Sequence, residues 1–246
     1  MRGASGAKLR QQGDLVQKSC VDALEQVRWF ADARKFGFVD GVSAVEIYWH
    51  SVRTYTMNHI IGHVATHEPQ TVYLTRIYDQ VRYWRDLYPM NFATWSSYID
   101  RLYEHAETTT SHVIYQAVEM VAAEPEFEQS FCHGDLTLEN IIIDQDGTAW
   151  LIDPNSNGSL FQSWVLDCGK LLQSTHTDYH RLFNSHPGVH LRKHDAVLRD
   201  LMVRDDVYRP ALTACLSHII RLCKYRKNDI DKVEQLAIPL MMELEC

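Results

Sequence analysis

No run of 18 apolar residues occurs in this 246-residue chain, so no membrane-spanning helix is expected. The first residues, MRGASGAKLRQQGD, contain no apolar core, so a secretory leader is not expected either. The six cysteines, Cys20, Cys132, Cys168, Cys215, Cys223 and Cys246, form no C-x-x-C pair. Scattered cysteines without a leader point to reduced thiols and a cytoplasmic protein. Cys132 reads as a small buried apolar residue rather than a reactive one. A basic surplus is missing as well. The 24 Lys and Arg stand against 32 Asp and Glu, a net charge of −8, which argues against a general nucleic-acid binder. Internal repeats and low-complexity tracts are lacking, and no feature specifies an oligomer. What remains is ordinary: 46% hydrophobic and 23% charged residues, enough to bury a normal core in one large domain or two small lobes.

The informative stretch is residues 131–155, FCHGDLTLENIIIDQDGTAWLIDPN. His133, Asp135 and Asn140 stand in H-G-D-x-x-x-x-N, and Asp153 follows thirteen residues after Asn140. Two short apolar runs, 141–143 and 149–152, flank Asp144-Gln145-Asp146-Gly147 and predict a β-hairpin. A hairpin brings Asn140 and Asp153 together at its open end. Turns favour Asp and Asn, so any one of these residues alone is unremarkable; the full set at this spacing is not. A carboxylate and an amide oxygen can hold Mg²⁺, a hard ion that prefers oxygen. A second carboxylate nearby can orient an attacking hydroxyl and accept its proton. On that pattern Asp135 is the catalytic base, Asn140 and Asp153 are the metal ligands, and His133 braces the loop.

These residues resemble the catalytic loop and metal segment of the aminoglycoside phosphotransferase and choline kinase family, within the protein-kinase-like fold. HGDLTLEN looks like its H-G-D-x-x-x-x-N, and IDP like its Ile-Asp segment. Protein kinases usually carry Arg after the His and Phe-Gly after the second Asp; here Gly134 and Pro154-Asn155 stand there instead. Asp167, in VLDCGKLLQS, is similar to the family aspartate that pins the catalytic loop, and it also suits a helix N-cap.

The resemblance extends to the N-terminus. GASGAKLRQQGDLVQK looks like the family's glycine loop, second strand and nucleotide lysine, which makes Gly3, Ser5, Gly6 and Lys18 candidate nucleotide contacts. Only Met1 and Arg2 precede this loop, where the family has a strand. Residues 8–12 and 15–19 predict strands about a Gly13-Asp14 turn, and 22–35 predict a helix ended by Gly37. Glu25 suits the helix dipole in that first turn; the family pairs a glutamate of the matching helix with the lysine. Residues 42–51 and 53–61 are rich in β-formers and predict two strands. The family's lobe hinge, where adenine meets backbone groups, is expected at 56–59, with Met57 at its centre.

From Thr71 the periodicity is helical: 72–87, 92–106, 111–123, 165–173, and two or three helices in 196–245. Tyr78, Trp84, Tyr88, Phe92 and Trp95 are expected in the core. Residues 174–194 hold His176, His180, His186, His190 and His194. Pro187-Gly188 interrupts any helix face that would align them on a metal, so they predict a mobile polar loop over the cleft. Arg221, Lys224, Arg226 and Lys227 predict a solvated helix face.

Together these features predict an α+β, two-lobed protein-kinase-like fold: a small β-rich lobe over 1–61 and a mainly helical lobe over 62–246. The implied activity is ATP- and Mg²⁺-dependent transfer of the γ-phosphoryl group to a hydroxyl of a small molecule. A sugar-type acceptor is preferred, because the region after Asp153 shows no aromatic cage for a quaternary amine. The alternatives are a protein kinase or nucleotide-transferring enzyme on the same fold, or a pseudokinase that binds nucleotide without catalysis.

Overall fold

The computed structural model describes residues 7–66, 71–88, 93–155, 161–177, 179–183 and 194–246. The fold is α+β, a strand-rich beginning followed by a mainly helical remainder. β1 (Lys8–Gln12) and β2 (Leu15–Ser19) form a hairpin. Gly13 makes its turn at φ +61°, a left-handed conformation that costs glycine little. α1 (Ala23–Phe36) ends at Gly37, whose φ is +93° and whose N–H returns to the Ala33 carbonyl at 2.9 Å.

The predicted strand at 42–51 is in fact two strands in two sheets. β3 (Val42–Ala44) runs parallel to β8 (Ala149–Leu151), whereas β4 (Ile47–His50) pairs with β5 (Thr54–Asn58). The β-forming composition is continuous across the break, and composition cannot show which partner each half will find. The first sheet has the order β1-β2-β5-β4. The second has the order β3-β8-β7-β6, with β6 (Gly62–Val64) antiparallel to β7 (Ile141–Asp144). The predicted hairpin is thus the centre of a four-stranded sheet.

The helices are α2 (Thr71–Trp84), α3 (Trp95–Ala106), α4 (His112–Ala123), α5 (Trp164–Thr175), α6 (Tyr179–Phe183), α7 (Asp195–Arg204), α8 (Tyr208–Arg221) and α9 (Ile230–Glu245). Thr94 and Ser111 cap α3 and α4 by accepting the N–H of Ser97 and Ile114, so α3 starts later than its apolar pattern suggests. Every residue of α8 from Ala211 to Ile220 is buried. α5 lies against it: a Cβ built on Gly169 would come within 2.6 Å of the Ala214 Cβ. A small residue there allows the two backbones to approach closely.

Tyr78, Trp84 and Trp95 are core residues as predicted, but Tyr88 is 88% exposed and Phe92 lies outside the described residues. The central aromatic is Trp29 on α1. Its ring stacks on Phe131 at 5.7 Å and meets Trp84 and His133 edge-on at 5.7 and 5.1 Å. Its Nε1–H donates to the Cys132 carbonyl at 2.8 Å, tying α1 to the chain just before His133.

The histidine-rich segment is partly helical. His180 is buried in α6, while His186 and His190 lie outside the described residues. His176 closes α5 and sits between two acids, with Nδ1 2.9 Å from Asp195 and Nε2 3.0 Å from Glu243. It therefore links α5, α7 and α9. The predicted basic helix face is not a single face: α8 ends at the half-exposed Arg221, and Lys224, Arg226 and Lys227 lie beyond it, Lys224 and Lys227 exposed and Arg226 half-exposed over Phe183 at 4.9 Å.

Two tests follow from this packing. Trp29→Phe removes the indole donor and leaves the Cys132 carbonyl buried and unpaired. It should lower the unfolding free energy by about 1–3 kcal/mol in a urea titration. His176 is pulled down by burial, but hydrogen bonds and charge from Asp195 and Glu243 hold its pKa above the ordinary 6.5. A raised folded-state pKa stabilises fully below 6.5, and that contribution fades as pH climbs through the raised value. The melting-temperature difference between wild type and His176→Gln should accordingly be largest at mildly acid pH and shrink toward pH 8; a difference that grows with pH would refute the clamp.

Candidate active site

The residues of the H-G-D segment are held by Asp167. Its two carboxylate oxygens accept the backbone N–H of His133 at 2.6 Å and of Gly134 at 2.8 Å. Asp167 is fully buried, and burial pushes its pKa up to about 7 against the pull of those two donors. It is not the helix N-cap: Ser163 caps α5, and Asp167 lies one turn in, facing the loop. Gly134 explains itself here. Its φ is +78°, and a Cβ would fall 2.4 Å from the carbonyl oxygen of Asn155. Asn155 in turn donates its N–H to the His133 carbonyl at 3.0 Å. A side chain at position 134 would push the loop off the segment that carries Asp153.

His133 is buried, and burial lowers its pKa to about 4. Nδ1 accepts the Asp135 N–H at 3.3 Å, and Nε2 lies 2.9 Å from the Ile152 carbonyl. A neutral ring protonated on Nε2 satisfies both contacts. The histidine thus braces the loop against the hairpin. The Asp135 carboxylate is held at both oxygens. Oδ2 accepts Asn140 Nδ2 at 3.0 Å, and Oδ1 lies 3.0 Å from Lys170 Nζ. Burial opposes ionisation of Asp135, but the Lys170 charge wins and keeps its pKa below the ordinary value.

The hairpin end closes as its sequence predicts. Ile141 pairs with Leu151, and the Ile152 N–H donates to the Asn140 carbonyl at 3.0 Å. Asp153 follows in the left-handed region at φ +55°, a conformation that Asp tolerates better than most residues and that recurs at functional sites. Its carboxylate forms an ion pair with Lys18 Nζ from β2. Lys18 is 2% exposed and also reaches Gln26 Oε1 at 3.1 Å. Lys18, Asp135, Asn140 and Asp153 are therefore gathered at one place. Asn140 spends its amide N–H groups on the Asp135 side chain and carbonyl. Its Oδ1 has no protein donor among the described residues, so the donor set offered with Asp153 is oxygen, as a hard dication requires.

Other assignments move. The side chain that faces Lys18 is Gln26, not Glu25. Consecutive helix positions point about a third of a turn apart, and the buried one is Gln26, which also accepts the Tyr55 hydroxyl at 2.8 Å and donates to Asp22 at 3.0 Å. Met57 is not at a lobe junction. It lies within β5, paired with Val16 on one side and Ile47 on the other, so its backbone is committed to the sheet. The segment that follows, 59–61, joins β5 of the first sheet to β6 of the second. Gly3, Ser5 and Gly6 lie outside the described residues.

No protein-family model and no curated protein matches the sequence. Solved structures do match its shape. A choline/ethanolamine kinase family protein from Mesorhizobium loti superposes with a TM-score of 0.64 at 15% identity, covering 99% of this chain and 85% of its own. A thermostable mutant of aminoglycoside phosphotransferase APH(4)-Ia gives 0.61 at 12% identity, over 96% and 94%. An aminoglycoside-3'-phosphotransferase of type VIII gives 0.56 at 15%, over 87% and 91%. The fold is the two-part α+β, protein-kinase-like fold of these structures. One further structure of APH(4)-Ia is a ternary complex with ADP and hygromycin B.

Within this fold, two polar partners escape a motif search. Gln26 differs from the expected Glu25 by one position, which pattern alone cannot resolve in an amphipathic helix. Lys170 carries a signal that was legible: it stands three residues after Asp167, and i,i+3 positions share a helix face. If Asp167 sets the loop, removing its carboxylate strands two backbone N–H groups in the interior. Asp167→Ala should cost about 2–4 kcal/mol in urea unfolding, with Asp167→Asn, which keeps one acceptor, costing less.

Proposed function

We propose that the protein is an ATP- and Mg²⁺-dependent phosphotransferase that moves the γ-phosphoryl group to a hydroxyl of a small molecule. The observation that carries this reading is that Lys18 pairs with Asp153, and Asn140 with Asp135, where β2 meets the open end of the β7–β8 hairpin. Lys18 would meet the nucleotide phosphates. Asp153 and the Asn140 amide oxygen would hold magnesium, which when bound neutralises phosphate charge. Asp135, fixed at both oxygens, would align the acceptor hydroxyl and take its proton. The adenine would meet backbone groups of 59–61 rather than Met57. The ADP complex of the similar APH(4)-Ia structure supports a nucleotide in this role.

A sugar-type hydroxyl remains the preferred acceptor, since the ammonium of Lys170 beside the base disfavours a cationic one. Among the described residues no helix is long and apolar enough to cross a membrane, and the cysteines are free thiols; both suit the cytoplasmic site that we favour.

Asp135→Ala decides the assignment. Assayed with Mg·ATP against a panel of sugars, aminoglycosides and choline, it should lower turnover by about 10²- to 10⁴-fold. Binding of Mg·ADP, followed by calorimetry, should change little. A variant with a normal rate would remove Asp135 from the chemistry.

A further inference from the structure

Phosphoryl transfer is helped chiefly by fixed positive charge around the moving group. The nucleotide side of this site has Lys18, already committed to Asp153 and Gln26. The loop HGDLTLEN carries no Lys or Arg. Among the described residues, the other cation in ion-pair contact with the Asp-Asn-Asp set is Lys170, on α5, 3.0 Å from Asp135 Oδ1. Its Nζ also donates to Gln173 Oε1 at 3.0 Å. An ammonium has three donors, and the third has no protein acceptor among the described residues. The side chain is 12% exposed: sheltered, yet not sealed from solvent.

The placement is built into the fold. Gly169 lets α5 pack onto Ala214 of α8, and Asp167, on the opposite side of the same helix, locks it to the loop. A helix fixed on both sides of position 170 delivers its lysine to a fixed spot.

We infer that Lys170 is a further catalytic residue, which holds the Asp135 carboxylate in place and gives its spare N–H to the transferring phosphoryl group. The inference rests on the phosphotransferase reading. In the step, the bond from the γ-phosphorus to the β-phosphate oxygen breaks and ADP keeps the electron pair. A bond to the acceptor oxygen forms, and the acceptor proton passes to Asp135 and then to solvent. Lys170 exchanges no proton and contributes charge and position.

The test uses the full chain, with Mg·ATP and water as acceptor, so that no acceptor need be known. Lys170→Met should lower kcat for ATP hydrolysis by about 10²-fold. The KM for ATP and the Kd for Mg·ADP should stay within about twofold, because the interaction is made to the moving group and not to bound nucleotide. Lys170→Arg should recover about tenfold or more of the loss. Lys170→Gln takes the place of the Met variant where circular dichroism shows impaired folding. A kcat within about threefold of wild type overturns the assignment. So does a loss of Mg·ADP binding in step with rate and no rescue by Arg, which would mark Lys170 as structural. Wild-type protein that fails to bind Mg·ADP, or binds it yet turns over neither water nor any acceptor of the panel, ends the phosphotransferase reading itself and Lys170's role with it.

Discussion

The buried carboxylate of Asp167 is the constraint on which the site depends. Two adjacent N–H groups point the same way only in a sharply turned backbone, and Asp167 accepts both from His133 and Gly134. That turn requires a positive φ at position 134, and the close approach of Asn155 leaves no room there for a Cβ. Glycine is thus demanded twice. Once the turn is set, His133 reaches the Ile152 carbonyl and Asp135 is presented beside Asn140. An apolar helix pair with a glycine at its crossing makes it possible to bury Asp167 at all.

Charge at the site is arranged in two acid–cation pairs, Lys18 with Asp153 and Lys170 with Asp135. Each acid is compensated, which lets a partly buried group of carboxylates persist beside each other. The lysine of β2 is held by a neutral amide, Gln26, rather than by a glutamate. With no carboxylate from α1 competing for it, its charge is directed at Asp153. Trp29 fixes α1 against the loop from the other side, so that helix and loop keep one spacing.

Much of this was legible. The hairpin at 141–151, the strand pair at 8–19 and most helices follow from periodicity, glycine placement and caps that act within a few residues. The approach of Asn140 to Asp153 followed from the hairpin, whereas Asp135 joins them through the turn that Asp167 holds. The misreadings share a cause. The stretch 42–51 is uniformly β-forming, and its division between two sheets depends on β8, about a hundred residues away, claiming its first half. Met57 resembled a hinge because nothing in residues 54–58 reveals a neighbour on each side. Glu25 and Gln26 differ by a rotation that only the packed helix fixes.

By itself, then, the amino-acid order determined local geometry and the chemistry on offer: which segments turn, which extend, and that acids, an amide and a lysine stand at spacings suited to phosphate and magnesium. The tertiary structure decided which side chains meet. It chose Gln26 over Glu25, set β3 beside β8, and brought Lys170 to Asp135. The physical reason is range. Backbone preferences act over a few residues, whereas ion pairs and sheet partners are selected by burial across the whole chain, where the cost of leaving a charge or an N–H unpaired becomes decisive.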